Sequence, residues 1–292
     1  MGAGGCTVPS SENQGGRGTM TIRFGYQTYT WQMSYELYRS RTDHILDVIA
    51  AAQGKGVEPE VCMLGAYTND SAALREGLER RGLQLGALCL AMPWKASSET
   101  AEEREEADRV ISYLQSFQGT VLTLVQLPGS DRSDLRQRQQ NALTNINAVA
   151  VRAQAAGITA AFHPNSPSGS IFRTADDYQV MLEGLDGRFC GYAPDTGHIA
   201  KGGMDPEAIL RSARSLIRHV HFKDMDTATG QWTALGEGSI NHEAITRYLA
   251  ETGYDGWIMV EEESAAAEQT PDEVTLQNGK YVRSVLEPLV HN

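Results

Sequence analysis

The chain of 292 residues carries a formal net charge of −12, and no stretch approaches the ~18 consecutive apolar residues that a membrane-spanning helix requires. Its Lys and Arg are scattered, which argues against nucleic acid, since phosphate binding needs concentrated positive charge; small or neutral molecules are the expected partners, with no membrane. The length fits two average domains or one α/β barrel of about 250 residues.

The N-terminal residues 1–19 lack the apolar core of a secretory signal, and Cys6 stands where a myristoylation motif wants Ser or Thr, so this stretch reads as a disordered tail with an alternative start at Met20. From there, apolar runs alternate with helical patterns. "IRFGYQ" is the first predicted strand, and the following "TDHILDVIAAAQGKG" places Ile45, Leu46, Val48 and Ile49 on one helical stripe. "VEPEVCML" is the second strand, "ALREGLERRG" its helix, and "LQLGALCL" the third strand. "SSETAEEREEADRVISYLQSFQG" offers a Ser N-cap, acidic first turns and Gly119 at its end. "TVLTLVQL" is the fourth strand, followed by a long helix ending at "AQAAG". "ITAAFH", "FCGYAPD", "IRHVHF" and "GWIMVEEE" are the fifth to eighth, and a terminal helix lies near "GKYVRSVLEPLV".

Strict alternation implies a parallel sheet, and eight units predict a single-domain (β/α)8 TIM barrel over residues 20–292. A doubly wound sheet would usually bring a phosphate loop, and neither GxGxxG nor GxxxxGK[ST] is present. Cys6, Cys62, Cys89 and Cys190 lie far apart without a CxxC pair, which fits a reducing cytoplasm better than a disulfide framework.

Barrel enzymes carry their chemistry at the C-terminal ends of strands. Here the fifth strand ends at His163, the sixth at Asp195 with His198 just beyond, the seventh at His221 and the eighth at Glu261. A lone His is more often a hydrogen-bonded structural residue, and "EEE" more often a solvated face. Four such residues at four successive strand ends outweigh those readings. Parity agrees: with Asp195 and Glu261 inward, Cys190, Tyr192, Pro194, Ile258 and Val260 face the helices. Two imidazoles and two carboxylates suit Mn²⁺, with Co²⁺, Mg²⁺, Fe²⁺ or Zn²⁺ also compatible. In "RHVHFKD" the same alternation sets His219, His221 and Lys223 on one face, His219 deep in the barrel and Lys223 at its rim as a substrate contact; Asp224 pairing with Lys223 is an equal reading.

The motifs "FHPN", "PDTGHIAKGGMDP", "IRHVHFKD", "LGEGSINHEAI" and "GYDGWIMVEEE" resemble the sugar phosphate isomerase/epimerase superfamily of xylose isomerase-like barrels, and most of all its inosose dehydratase branch. The likeness is dense from about residue 157 to 265; "GVEPEV" and the strand–helix rhythm carry it in the first half. It implies a divalent metal, often Mn²⁺ or Co²⁺, on His163, Asp195, His221 and Glu261. Many isomerases and epimerases of the superfamily have a glutamate where this chain has His163, which weakens a two-glutamate epimerisation and favours a lyase.

The implied reaction removes the proton α to a carbonyl of a keto-cyclitol or 3-keto-sugar and eliminates a β-substituent. Candidate acids and bases are His163, His198, Glu261 and Glu60. Lys223, Trp31, Trp257 and Glu237 are candidate substrate contacts, with Trp257 equally a core residue and Glu237 equally part of a "GEG" turn. The alternatives are a ketose isomerase or epimerase and an enzyme cleaving 3-keto-glycosides, including C-glycosides. A homo-oligomer or a small accessory subunit would be the protein partner. An abasic-site nuclease is disfavoured by the acidic charge, and a non-catalytic carbohydrate-binding barrel by the intact ligand set.

Overall fold

The computed structural model describes Met1 and residues 21–290; the expected tail otherwise lies outside the described residues. Eight parallel strands form the barrel: Ile22–Gln27, Gly56–Glu58, a third that begins with Gln84–Leu85 and continues as Ala87–Met92, then Val121–Gln126, Thr159–Phe162, Cys190–Tyr192, Val220–Phe222 and Gly256–Val260. Regular pairing runs in two blocks, one from Gln84–Leu85 through the second, first and eighth strands to the seventh, the other from Ala87–Met92 to the sixth.

Two seams close the ring. At the first, the Gly86 N–H donates to Val57 O (3.0 Å) and the Cys89 N–H to Pro59 O (2.9 Å). At the second, between the sixth and seventh strands, Arg218 N–H reaches Tyr192 O (3.0 Å) and His221 N–H reaches Pro194 O (2.8 Å). Among the described residues, no helix is long and apolar enough to cross a membrane.

Side chains alternate as the pleat requires, so Cys190, Tyr192, Ile258 and Val260 join the apolar layer under the helices. The inward positions of the eighth strand fill the lower barrel. Trp257 lies there, under the Arg23 guanidinium (4.4 Å to the ring centroid) and against Gly56, where an added Cβ would meet the indole at 2.5 Å. Met259 occupies the next layer, and a Cβ at Gly86 would meet its methyl at 2.2 Å. Trp257 is thus core at the N-terminal end, not the wall of a sugar pocket.

Three local expectations change. The second strand stops at Glu58, because Pro59 has no N–H to continue the ladder and Val61–Met63 turns into a 3₁₀ helix. The helix Ala101–Leu114 is capped by Thr100 instead of a Ser, in a reciprocal box with Glu103. Beyond the seventh strand the chain forms an antiparallel hairpin, Asp224–Asp226 with Gln231–Thr233, where the sequence reads only as a polar loop.

Candidate active site

The ends of strands five to eight converge. His163, Asp195, His221 and Glu261 are all buried, and each offers a ligand atom lying within 4.8 Å of the others. Asp195 also caps the short helix Thr196–Lys201: its Oδ1 accepts the His198 N–H at 2.7 Å, which leaves Oδ2 for the barrel. That Oδ2 and both ring nitrogens of His163 are buried without a hydrogen-bond partner, and Oδ2 stands 3.7 Å from His163 Nε2. Buried polar atoms left unpaired are costly, and a cation among these donors satisfies them. The mixed nitrogen and oxygen set fits a divalent ion.

His221 is gripped at both nitrogens. Its Nε2 faces Glu58 Oε2 at 2.8 Å and its Nδ1 lies 3.0 Å from Glu261 Oε2. Glu58 also faces His219 Nε2 at 2.7 Å and accepts the Thr123 hydroxyl at 2.6 Å. Burial alone would raise the Glu58 carboxyl, but His221 and His219 hold it well below the usual carboxylate range. Burial would lower the His221 imidazole, but Glu58 and Glu261 raise it to about 10, so both ring nitrogens donate here; an ionised Glu58 would keep the proton on Nε2 when a cation displaced the one on Nδ1. Sequence reasoning passed over Glu58 for Glu60. The signal was its parity with Gly56, whose inward face meets Trp257.

Lys223 is fully buried, not at the rim. Its Nζ is 2.7 Å from Glu261 Oε1, 3.2 Å from His198 Nε2 and 3.4 Å from Asp195 Oδ2, and it donates to Glu263. The hairpin explains the depth, since it lays Trp232 over the ammonium at 5.4 Å from the ring centroid. Asp224 does not pair with Lys223; it accepts the N–H groups of Met225, Gly236, Gly238 and Ile240 and so fastens the loop after the hairpin. Burial would lower the Lys223 pKa, but Asp195, Glu261 and Glu263 raise it well above the usual value. Burial takes the His198 imidazole down to about 3, with Asp195 opposing and Lys223 assisting. Neutral His198 therefore accepts from Lys223 at Nε2 and donates from Nδ1 to Ser166 Oγ at 2.8 Å.

Beside these groups a cavity of about 320 Å³ opens at the C-terminal mouth, lined by Glu60, His163, His198, His221, Glu261 and Glu263 among others. Burial raises the Glu60 carboxyl to about 6, with the charge of Glu261 adding to the effect and the 2.8 Å hydrogen bond from Gln32 opposing it. Trp31 does not line this cavity. It sits in the short helix Tyr29–Gln32, where residues 29 and 32 share the face toward the cavity while Trp31 is buried with its indole N–H on Asp272 (2.8 Å). Glu237 also lies outside the lining; it accepts from the exposed Gln277 amide at 2.6 Å.

A closed parallel barrel with its titratable groups gathered at the strand C-termini belongs with the xylose isomerase-like enzymes, and residues 46–284 match the xylose isomerase-like TIM barrel family, to which this chain belongs. It is similar to the inosose dehydratase of Lacticaseibacillus casei, with 24% identity over 91% of this chain and 98% of that protein. Among solved structures it shares its fold with the probable 3-DHS dehydratase AsbF from Bacillus anthracis (TM-score 0.71, 15% identity, 90% of this chain and 99% of that one). It shares it equally with the IolI protein with a binding zinc atom (TM-score 0.71, 15% identity, 92% and 98%).

Proposed function

We propose that this protein is a divalent-metal-dependent dehydratase of a keto-cyclitol, with an inosose as its substrate. The observation that carries the reading is the buried set His163, Asp195, His221 and Glu261, with unpaired ligand atoms on His163 and Asp195, beside a cavity that holds a second set of proton-handling groups. The inosose dehydratase relatives, aligned over most of both chains, support the substrate. His163 at the fifth strand's end supports a lyase over an epimerase, since a glutamate there would supply the second proton-moving carboxylate.

His163, Asp195, His221 and Glu261 would hold the ion. Mn²⁺ is the leading choice for mixed imidazole and carboxylate ligation, and the zinc of the IolI protein makes Zn²⁺ the competitor. A bound divalent cation supplies Lewis-acid polarisation of the substrate's keto oxygen. The protein's own groups move the protons. Glu60, with a carboxyl that titrates near 6, is the base for the α-proton at neutral pH. Gln32 orients its Oε2 by the 2.8 Å hydrogen bond. Glu263, in the cavity wall with its carboxyl raised by burial against the pull of Lys223, is the acid in its protonated form: its proton leaves with the β-hydroxyl as water, and the Lys223 ammonium stabilises the carboxylate left behind. Neutral His198, locked by Ser166, keeps Lys223 in place. The free thiols Cys62, Cys89 and Cys190 agree with a cytoplasmic setting.

The test is incubation of the manganese-loaded protein with scyllo-inosose in deuterated water, followed by mass spectrometry and NMR with a chelated control. Metal-dependent loss of water supports the dehydratase. Deuterium uptake with no water lost would replace it by an isomerase or epimerase.

A further inference from the structure

The seventh strand outruns its neighbour. Its His221 N–H still reaches the Pro194 carbonyl at 2.8 Å, but the chain beyond Asp195 turns into the helix Thr196–Lys201. Lys223, the next position of that ladder, therefore has no strand beside it on this edge. A side chain takes the strand's place. The Thr196 hydroxyl accepts the Lys223 N–H at 3.0 Å and donates to the Lys223 carbonyl at 2.8 Å, so one group holds both backbone polar atoms of the lysine. Gly197 permits the close approach, since an added Cβ there would meet the Lys223 stem at 2.8 Å.

The hydroxyl is itself supported from behind. His242, the first residue of the helix His242–Glu251, is buried, and its Nε2 lies 3.1 Å from Thr196 Oγ1. The single proton of Thr196 is committed to the Lys223 carbonyl, so at this contact the imidazole is the donor. Burial takes the ring down to about 4 against the pull of Asp224, which leaves it one proton, on Nε2. Its Nδ1 stands 3.8 Å from Asp224 Oδ2 without a hydrogen-bond partner, and the Phe222 ring packs beside it at 4.7 Å between centroids. An unpaired buried nitrogen costs stability, whereas the bond from Nε2 acts on the group that holds Lys223.

We infer that His242 is a positioning residue for Lys223: by donating to Thr196 it fixes the hydroxyl that holds the lysine backbone, and so aims the ammonium at Glu261 and Glu263. The inference deepens the dehydratase reading and rests on it for the part that Lys223 plays in the reaction. The ammonium lies 2.7 Å from Glu261 Oε1 and donates to Glu263, so a shift of the Lys223 backbone moves it away from both. Displacing an acting group by about 1 Å costs up to about 10²-fold in rate.

The experiment pairs His242→Phe, which keeps a ring against Phe222 and loses the donor, with His242→Gln, whose amide N–H replaces the one on Nε2. Each manganese-loaded protein is assayed for kcat and KM on scyllo-inosose and titrated for metal affinity. The zinc-loaded proteins, isotope-labelled at the lysine side-chain nitrogen, report the buried Lys223 ammonium by NMR. His242→Phe is expected to lose about 10–100-fold in kcat, with KM and metal affinity unchanged and the ammonium resonance moved, and His242→Gln to restore both kcat and resonance. An unchanged kcat or an unmoved resonance in His242→Phe, equal losses in the two variants, or a loss of metal affinity equal to the loss of kcat would overturn the positioning role. His242→Leu serves in place of His242→Phe if that protein does not fold. If the unaltered protein does not dehydrate scyllo-inosose, the dehydratase reading fails and the resonance decides alone: moved in His242→Phe and restored in His242→Gln, it upholds the positioning of Lys223.

Discussion

Single side chains divide the labour of the site by environment. Glu58 and Glu60 are two residues apart, yet one is ionised between two histidines and the other is raised to about 6 by burial. A base must be ionised to accept a proton, so kcat/KM falls as pH drops through about 6, and Glu60→Gln removes that acid limb while lowering kcat by roughly 10²–10⁴-fold. A pH–rate profile of the two proteins decides it; an unchanged limb in the variant would reassign the base. Glu58 touches no proposed ligand position of the metal except through His221. Glu58→Gln is therefore expected to weaken metal affinity by about 10–100-fold through loss of the fixed tautomer, as read by metal titration.

At the scale of elements, the hairpin Asp224–Thr233 converts a rim lysine into a buried one. Trp232 covers Lys223 on one side, stands 5.1 Å from Lys201 Nζ, and meets the His198 ring edge-on at 6.0 Å. Trp232→Ala opens this group to water, and kcat is expected to fall about 10–100-fold with metal affinity unchanged. A fall in metal binding equal to the fall in kcat would mean that the hairpin supports the ligand cluster instead. The hairpin also marks the limit of what the sequence discloses. The eight barrel strands and the polar residues at strands five to eight were legible because each apolar run ends in chemistry-bearing residues. Three-residue strands such as Gln231–Thr233 are too short to display alternation. Without the hairpin, Lys223 reads as exposed. Trp31 misleads for a related reason: the chain after the first strand turns helical, so alternation no longer applies and Tyr29 and Gln32 take the cavity side.

On the proposed ligand set, metal binding would be coupled to closure of the whole barrel. Asp195 and His221 are paired across the second seam, where closure rests on isolated bridges and on the two hydrogen bonds from Arg218 and His221. The first seam carries comparable backbone bonds at Gly86 and Cys89 but none of the four proposed ligand residues. A cation held by Asp195 and His221 would therefore staple one seam and not the other. Binding to the folded state alone stabilises it by RT ln(1 + [L]/Kd), about 2.7 kcal/mol at a hundredfold excess over Kd, so chelation lowers the melting temperature. The location of the effect is the sharper measure. Chelation is expected to speed amide exchange at Arg218 and His221 well beyond any change at Gly86 and Cys89, because local opening there no longer has to break ligand contacts. In Asp195→Asn, whose side chain still reaches the His198 N–H with an amide oxygen, the cap survives and the charge does not, so the seam should exchange quickly with or without metal. Equal acceleration at both seams would show that the ion stabilises the barrel as a whole and that closure does not depend on this pair.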